Sequence, residues 1–134
     1  MPSFSEHSLA ILETCDLRLV KIFMEVVKEF DCRIISGRRG ETEQNKLYME
    51  GLSQVKFPDS CHNAYPLSLA VDCAPWPIDW ADKERFVFFG GYVMGVAAKM
   101  GIPIIYGGDW DRDFHVGDET FRDFGHFELL EEGE

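Results

Sequence analysis

The feature that most constrains this sequence is an apolar stripe near its start. Leu19, Val20, Phe23, Val26, Val27 and Phe30 recur at three- and four-residue steps, which places them on one face of an α-helix. Asp16 stands where a capping side chain is needed, so the spacing predicts a core helix over residues 17–30. A helix with one apolar stripe has to bury it against a second layer.

The segments that follow identify that layer. Arg33-Ile34-Ile35-Ser36 is short, β-branched at its centre and followed by Gly37, and reads as a strand that ends where Arg38 and Arg39 emerge. Leu69, Val71 and Cys73 alternate with Ala70 and Asp72, which puts Asp72 on the strand face opposite the apolar trio. Ile102 to Tyr106 and His126 to Leu130 read as two further strands. Helices are expected from Glu43 to Glu50, stopped by Gly51, and from Asp82 to Met100, stopped by Gly101. Gly90 and Gly91 inside the long helix imply close packing against a neighbour, because each disfavours the helix by about 1 kcal/mol. Residues 52–66 and 107–117 read as loops. Without a regular βαβ alternation, the predicted class is α+β: a single domain over residues 1–134, its small antiparallel sheet packed with helices.

Charge and cysteine pattern narrow the function classes. With 13 basic residues against 24 acidic ones, a net charge of -11 disfavours nucleic acid, whose phosphates are held by Lys and Arg. The first residues carry no basic stretch followed by an apolar run, and no apolar run approaches membrane-spanning length. Neither a signal peptide nor membrane insertion is expected. Cys15, Cys32, Cys61 and Cys73 form no CxxC pair and read as free thiols, which disfavours a zinc ribbon or a thioredoxin-type motif. A monomer is expected.

The polar residues of chemical interest lie at strand ends and in loops. His62 precedes Asp72, and Asp123 precedes His126. Catalytic zinc takes three protein ligands from His, Asp or Glu and keeps a fourth position for water, and His62, Asp72 and His126 can supply that set. A histidine beside an acid is also commonplace in proteins that bind no metal, so spacing alone leaves both readings open.

Three segments carry a family resemblance. Ser60-Cys61-His62, Ser68-Leu69-Ala70-Val71-Asp72 and Asp123-Phe124-Gly125-His126-Phe127-Glu128 resemble the M15 family of zinc metallopeptidases. Its pattern is S-x-H, then A-x-D, then (D/E)-x-x-H followed by an aromatic or apolar residue and Glu. Ser36-Gly37-Arg38-Arg39 is similar to the S-G-x-R element of that family, and Glu43-Gln44 to the helix after it. Pro75 to Trp80 and Gly107 to Asp111 resemble its phage-encoded branch. The family contains D-alanyl-D-alanine carboxypeptidases and dipeptidases, and phage L-alanyl-D-glutamate endolysins.

The resemblance implies a Hedgehog/DD-peptidase-like fold and Zn2+ held by His62, Asp72 and His126. It implies Asp123 as general base and acid, and Arg39 on a substrate carboxylate or a developing oxyanion, a forked task for which Lys is less suited. The plain alternatives are a solvated turn residue or helix cap for Asp123 and a surface ion pair with Glu41 or Glu43 for Arg39. Aspartate at 123 is more like the L-alanyl-D-glutamate endopeptidases than the Glu-bearing D,D-enzymes. The implied partner is the stem peptide of peptidoglycan. The implied setting is a phage endolysin made in the host bacterial cytoplasm that reaches the wall once another phage protein opens the inner membrane. The alternatives are a D-alanyl-D-alanine carboxypeptidase and a non-catalytic, zinc-stabilised binding or virion module. Nine residues separate His62 from Asp72, more than in the common form of the family, so the segment Asn63 to Ser68 has to return both side chains to one metal.

Other residues carry two readings each. Ser60 either hydrogen-bonds substrate or closes a local turn. Glu128, two places beyond His126, either orients that ligand or lies exposed. Trp110 is a candidate cleft wall, whereas Trp76 and Trp80 more naturally seal the core edge. Asp109, Asp111 and Asp113 resemble the start of a calcium loop. Phe114 stands in place of its turn Gly and Thr120 in place of its closing Glu, which excludes a full EF-hand and leaves an irregular cation site. His7 and His115 match no motif and read as surface residues.

Overall fold

The computed structural model describes residues 2–115 and 123–130. Its elements run α1 (Glu6–Leu12), α2 (Leu17–Val26), β1 (Cys32–Ser36), α3 (Glu41–Met49), a 3-10 turn (Cys61–Asn63), β2 (Ala70–Pro75), α4 (Lys83–Met100), β3 (Ile104–Tyr106) and β4 (His126–Leu129). The class is α+β, with one antiparallel sheet in the order β1-β2-β4-β3.

α2 begins where expected: the Asp16 carboxylate accepts a hydrogen bond from the Arg18 amide at 2.9 Å. It buries Leu19, Ile22, Phe23 and Val26 completely. It ends at Val26, four residues before the apolar stripe does. The Lys28 and Glu29 amides bond to the carbonyls of Glu25 and Val26, tightening the last turn, and the Asp31 carbonyl then accepts from the Trp76 amide at 2.9 Å. Phe30 continues the stripe outside the helix by packing edge-on against Phe89 of α4, ring centroids 4.9 Å apart.

α4 ends at Gly101, whose φ of 73° is the left-handed conformation that closes a helix. The expectation for its paired glycines divides. Tyr106 lies flat against Gly90, so a Cβ there would overlap the ring, and the Tyr106 hydroxyl donates to the Phe86 carbonyl at 3.2 Å. Gly91 faces open space, so the close packing involves one of the two.

The sheet has two different faces. Val71 pairs with Phe127 and Tyr106 also pairs with Phe127, and these side chains meet the helices. Phe127 lies 5.4 Å from Phe23 of α2 and 6.2 Å from Phe89 of α4, ring to ring. By the two-residue period the alternate positions point the other way: Asp72 pairs with His126, Ala70 with Glu128 and Ser36 with Asp72. The core therefore fixes which face carries the polar residues.

Candidate metal centre

His62 is delivered by the 3-10 turn. Ser60 caps it, its hydroxyl accepting from the His62 amide at 3.1 Å while the Ser60 amide donates to Asn63 Oδ1 at 3.0 Å. The Leu69 amide donates to the Cys61 carbonyl and the Ser68 amide to the Thr14 carbonyl. These bonds fold the long segment back onto the start of β2, so nine intervening residues still bring the two side chains together. His62 Nε2 lies 3.2 Å from Asp72 Oδ1.

His126, on the neighbouring strand, completes the group. Its Nδ1 is 3.0 Å from Asp72 Oδ1 and 3.3 Å from His62 Nε2. Tetrahedral ligands at about 2.0–2.2 Å from zinc stand about 3.3–3.6 Å apart, so a slight expansion of this triangle admits an ion. Both rings are held through their other nitrogen, His62 Nδ1 on the Gly37 carbonyl at 2.7 Å and His126 Nε2 on Glu128 Oε1 at 2.7 Å. Each bond selects the tautomer that turns a lone pair towards the centre. Asp72 is anchored in the same manner, its Oδ2 accepting from Arg39 Nη2 at 2.7 Å. The donor set and its outer partners fit a divalent metal.

Electrostatics follow from this crowding. Burial raises the pKa of Asp72, but the adjacent His62 and His126 outweigh it and hold the carboxylate far below its ordinary range. Burial opposes charge on His126, yet its bonds to Asp72 and Glu128 prevail and raise its pKa to about 10; a metal bound at Nδ1 would replace the proton there and leave the one that Glu128 holds. Asp123 is shifted upward, first by burial and then by the charge of Asp72.

Asp123 stands at the rim, its Oδ2 4.0 Å from His126 Nδ1. Its amide donates to the Gly107 carbonyl at 2.9 Å and its carbonyl accepts from the His126 amide at 3.0 Å. Gly107 lies so close to the Asp123 carbonyl that a Cβ would overlap it. This requirement for glycine was not visible in the sequence.

A cleft of about 470 Å³ opens above the triangle, lined by Arg39, Ser60, His62, Trp110, Asp123 and His126 among others. The Trp110 ring lies 5.3 Å from that of His126. Trp76 and Trp80 do not line the cleft: Arg33 covers one face of Trp76 at 4.3 Å, and Trp80 stacks on Phe86. Arg39 pairs with Asp72 rather than with Glu41 or Glu43, and its Nε and Nη1 donate to Ser36 and Gln44.

Gln44 is a buried hub to which sequence reasoning attached no role. Its Nε2 donates to Ser53 Oγ and the Val55 carbonyl, both at 2.8 Å, while its Oε1 accepts from Arg39 and Asn63. Ser53 and Val55 line the cleft, so one amide joins the cleft wall to the framework of Arg39 and the 3-10 turn.

Asp109, Asp111 and Asp113 do come together. Asp109 accepts from the Asp113 and Phe114 amides, and Asp113 from the His115 amide, as turn-forming aspartates do. Phe114 adopts a φ of 68° at the place of the calcium-loop glycine. Thr120 and the end of the predicted loop 107–117 lie outside the described residues. His7 and His115 are exposed.

Three comparisons bear on this geometry. The profile of a family described as phage L-alanyl-D-glutamate peptidase matches residues 2–130. The L-alanyl-D-glutamate peptidase of Escherichia phage T5 is 27% identical over 135 residues, covering 95% of this chain and 97% of that protein. The crystal structure of the Serratia marcescens L-Ala D-Glu endopeptidase ChiX shares the fold. It superposes with a TM-score of 0.75 at 21% identity, covering 96% of this chain and 91% of that one.

Proposed function

Because this chain belongs to the phage L-alanyl-D-glutamate peptidase family, we propose that it hydrolyses the L-alanyl-D-glutamate bond of the peptidoglycan stem peptide at a zinc centre. His62, Asp72 and His126 would hold the ion. The observation that carries this reading is the triangle of donor atoms 3.0–3.3 Å apart beneath the cleft, with Asp123 at its rim.

A zinc ion held there would supply Lewis-acid polarisation of the scissile carbonyl and lower the pKa of a water molecule. Asp123 supplies the proton traffic: its carboxylate takes a proton from the attacking water and returns it to the amine of D-glutamate as the peptide bond breaks. The water oxygen ends in the new carboxyl group of L-alanine. The upward pKa shift of Asp123 suits a group that both accepts and donates a proton. Arg39 keeps Asp72 oriented and faces the cleft, where its remaining N–H groups can meet a substrate carboxylate or the carbonyl oxygen. Ser60 shapes the turn that presents His62, and Trp110 walls the peptide path.

No helix among the described residues is long and apolar enough to cross a membrane. The proposed setting is the host bacterial wall, reached after release from the cytoplasm. The test is mass spectrometry of purified peptidoglycan digested with the zinc-loaded protein. Stem peptides with a new amino-terminal D-glutamate are expected, and release of terminal D-alanine alone would overturn the proposal.

A further inference from the structure

The 3-10 turn and β4 carry two of the three candidate ligands, and a side-chain contact joins them. Glu128 on β4 accepts from His126 Nε2 through Oε1 at 2.7 Å, while its other oxygen, Oε2, accepts from the thiol of Cys61 at 3.2 Å. Cys61 is itself fixed, its carbonyl accepting from the Leu69 amide at 3.1 Å. Cys15, Cys32 and Cys73 are buried in the core, whereas Cys61 is half-buried and lines the cleft beside Glu128.

A carboxylate held at one oxygen can still swing about its side-chain torsions, and a histidine bonded to it follows. A bond at the second oxygen fixes the plane of the group. The donor type matters as well. A lysine or arginine at this point would draw charge from Glu128 and weaken the basicity it lends to the His126 ring, whereas a thiol is a weak donor that orients without competing.

We infer that Cys61 is a positioning residue of the metal centre: its thiol sets the plane of the Glu128 carboxylate and, through it, the direction in which His126 Nδ1 points. The inference rests on the reading of His62, Asp72 and His126 as metal ligands. It adds to that reading a residue that contacts none of the reacting groups.

The test uses the full chain and metal binding rather than turnover. Zinc affinity is measured by competition with a chromophoric chelator, and the Co2+-loaded protein is examined by its visible absorption bands, which report ligand geometry. Cys61→Ala should weaken zinc binding about tenfold, the size usual for a lost outer partner, and shift the cobalt bands. Cys61→Ser, which keeps a donor, should restore both. In a Glu128→Ala background, Cys61→Ala should have no further effect, because the pathway is already cut. Wild-type affinity and an unchanged cobalt spectrum in Cys61→Ala would overturn the inference, as would an effect that adds fully to that of Glu128→Ala. Failure of the unaltered protein to bind either ion would instead overturn the metal-centre reading.

Discussion

Arg39 Nη2 lies 2.7 Å from Asp72 Oδ2, on the carboxylate oxygen turned away from the two histidines. The pair is only slightly exposed, at 12% and 16% of the side-chain surfaces, and the same guanidinium reaches Ser36 and Gln44. A single ammonium cannot make all three contacts. Arg39→Lys should therefore weaken zinc binding about tenfold by loosening Asp72, and lower turnover as well. Chelator competition on the variant checks this, and unchanged affinity would confine Arg39 to a role with substrate.

The proposed roles of metal binding and proton transfer separate at Asp123, which sits beyond the triangle at 4.0 Å from His126 Nδ1. Asp123→Asn preserves size and polarity but cannot take a proton. The variant should keep its zinc while turnover on stem peptide falls by about 10²- to 10⁴-fold. Metal content and peptide release measured on the same preparation decide it. Near-normal turnover would remove Asp123 from proton transfer.

The proposed metal would have a structural consequence too. Two imidazoles and a carboxylate meet at 3.0–3.3 Å, and an ion bound there stabilises the folded chain alone. With zinc at about a thousandfold over its dissociation constant, the gain is about 4 kcal/mol. Chelator treatment should abolish activity and lower the melting temperature, and added zinc should restore both. A melting temperature indifferent to zinc would contradict the site.

The two faces of the sheet were legible in the sequence because a two-residue period survives any change of partner: Val71 and Cys73 on one side and Asp72 on the other follow from pleating alone. The candidate donor set of His62, Asp72 and His126 was legible because few side chain types hold a metal, and the structure brings those three together. What the local pattern could not carry was set by distant contacts. α2 stops at Val26 and the chain beyond it is tied down by the bond from the Trp76 amide to the Asp31 carbonyl, while the apolar period runs on to Phe30. Arg39 had acidic neighbours at Glu41 and Glu43, yet its partner is Asp72, on another strand. Gln44 lies on a polar helix whose pattern gives no inward face, and its burial comes from the segment holding Ser53 and Val55.

The glycines of α4 show the same limit and provide a matched pair of variants. Gly90 lies under the Tyr106 ring, whereas Gly91 faces open space. Gly90→Ala should destabilise the protein by about 1–3 kcal/mol, the usual range for overpacking, and Gly91→Ala should stabilise it by up to about 1 kcal/mol through helix propensity. Denaturant unfolding of both variants measures the contrast, and equal effects would mean that Tyr106 does not pack as described.

Acid should act on α2 through its cap. The Asp16 carboxylate is lowered from its ordinary pKa of 3.8, chiefly by its side-chain hydrogen bond with Arg18. Because the folded value lies below the unfolded one, its stabilisation is fully present above about pH 4 and is lost as pH falls through the folded value. Asp16→Asn keeps a capping oxygen but removes the charge. The wild type should therefore exceed Asp16→Asn in stability at pH 5, with the difference shrinking towards pH 2. Urea unfolding of both proteins across that range checks the sign. A difference that grows as pH falls would show that the Asp16 charge does not stabilise the start of this helix.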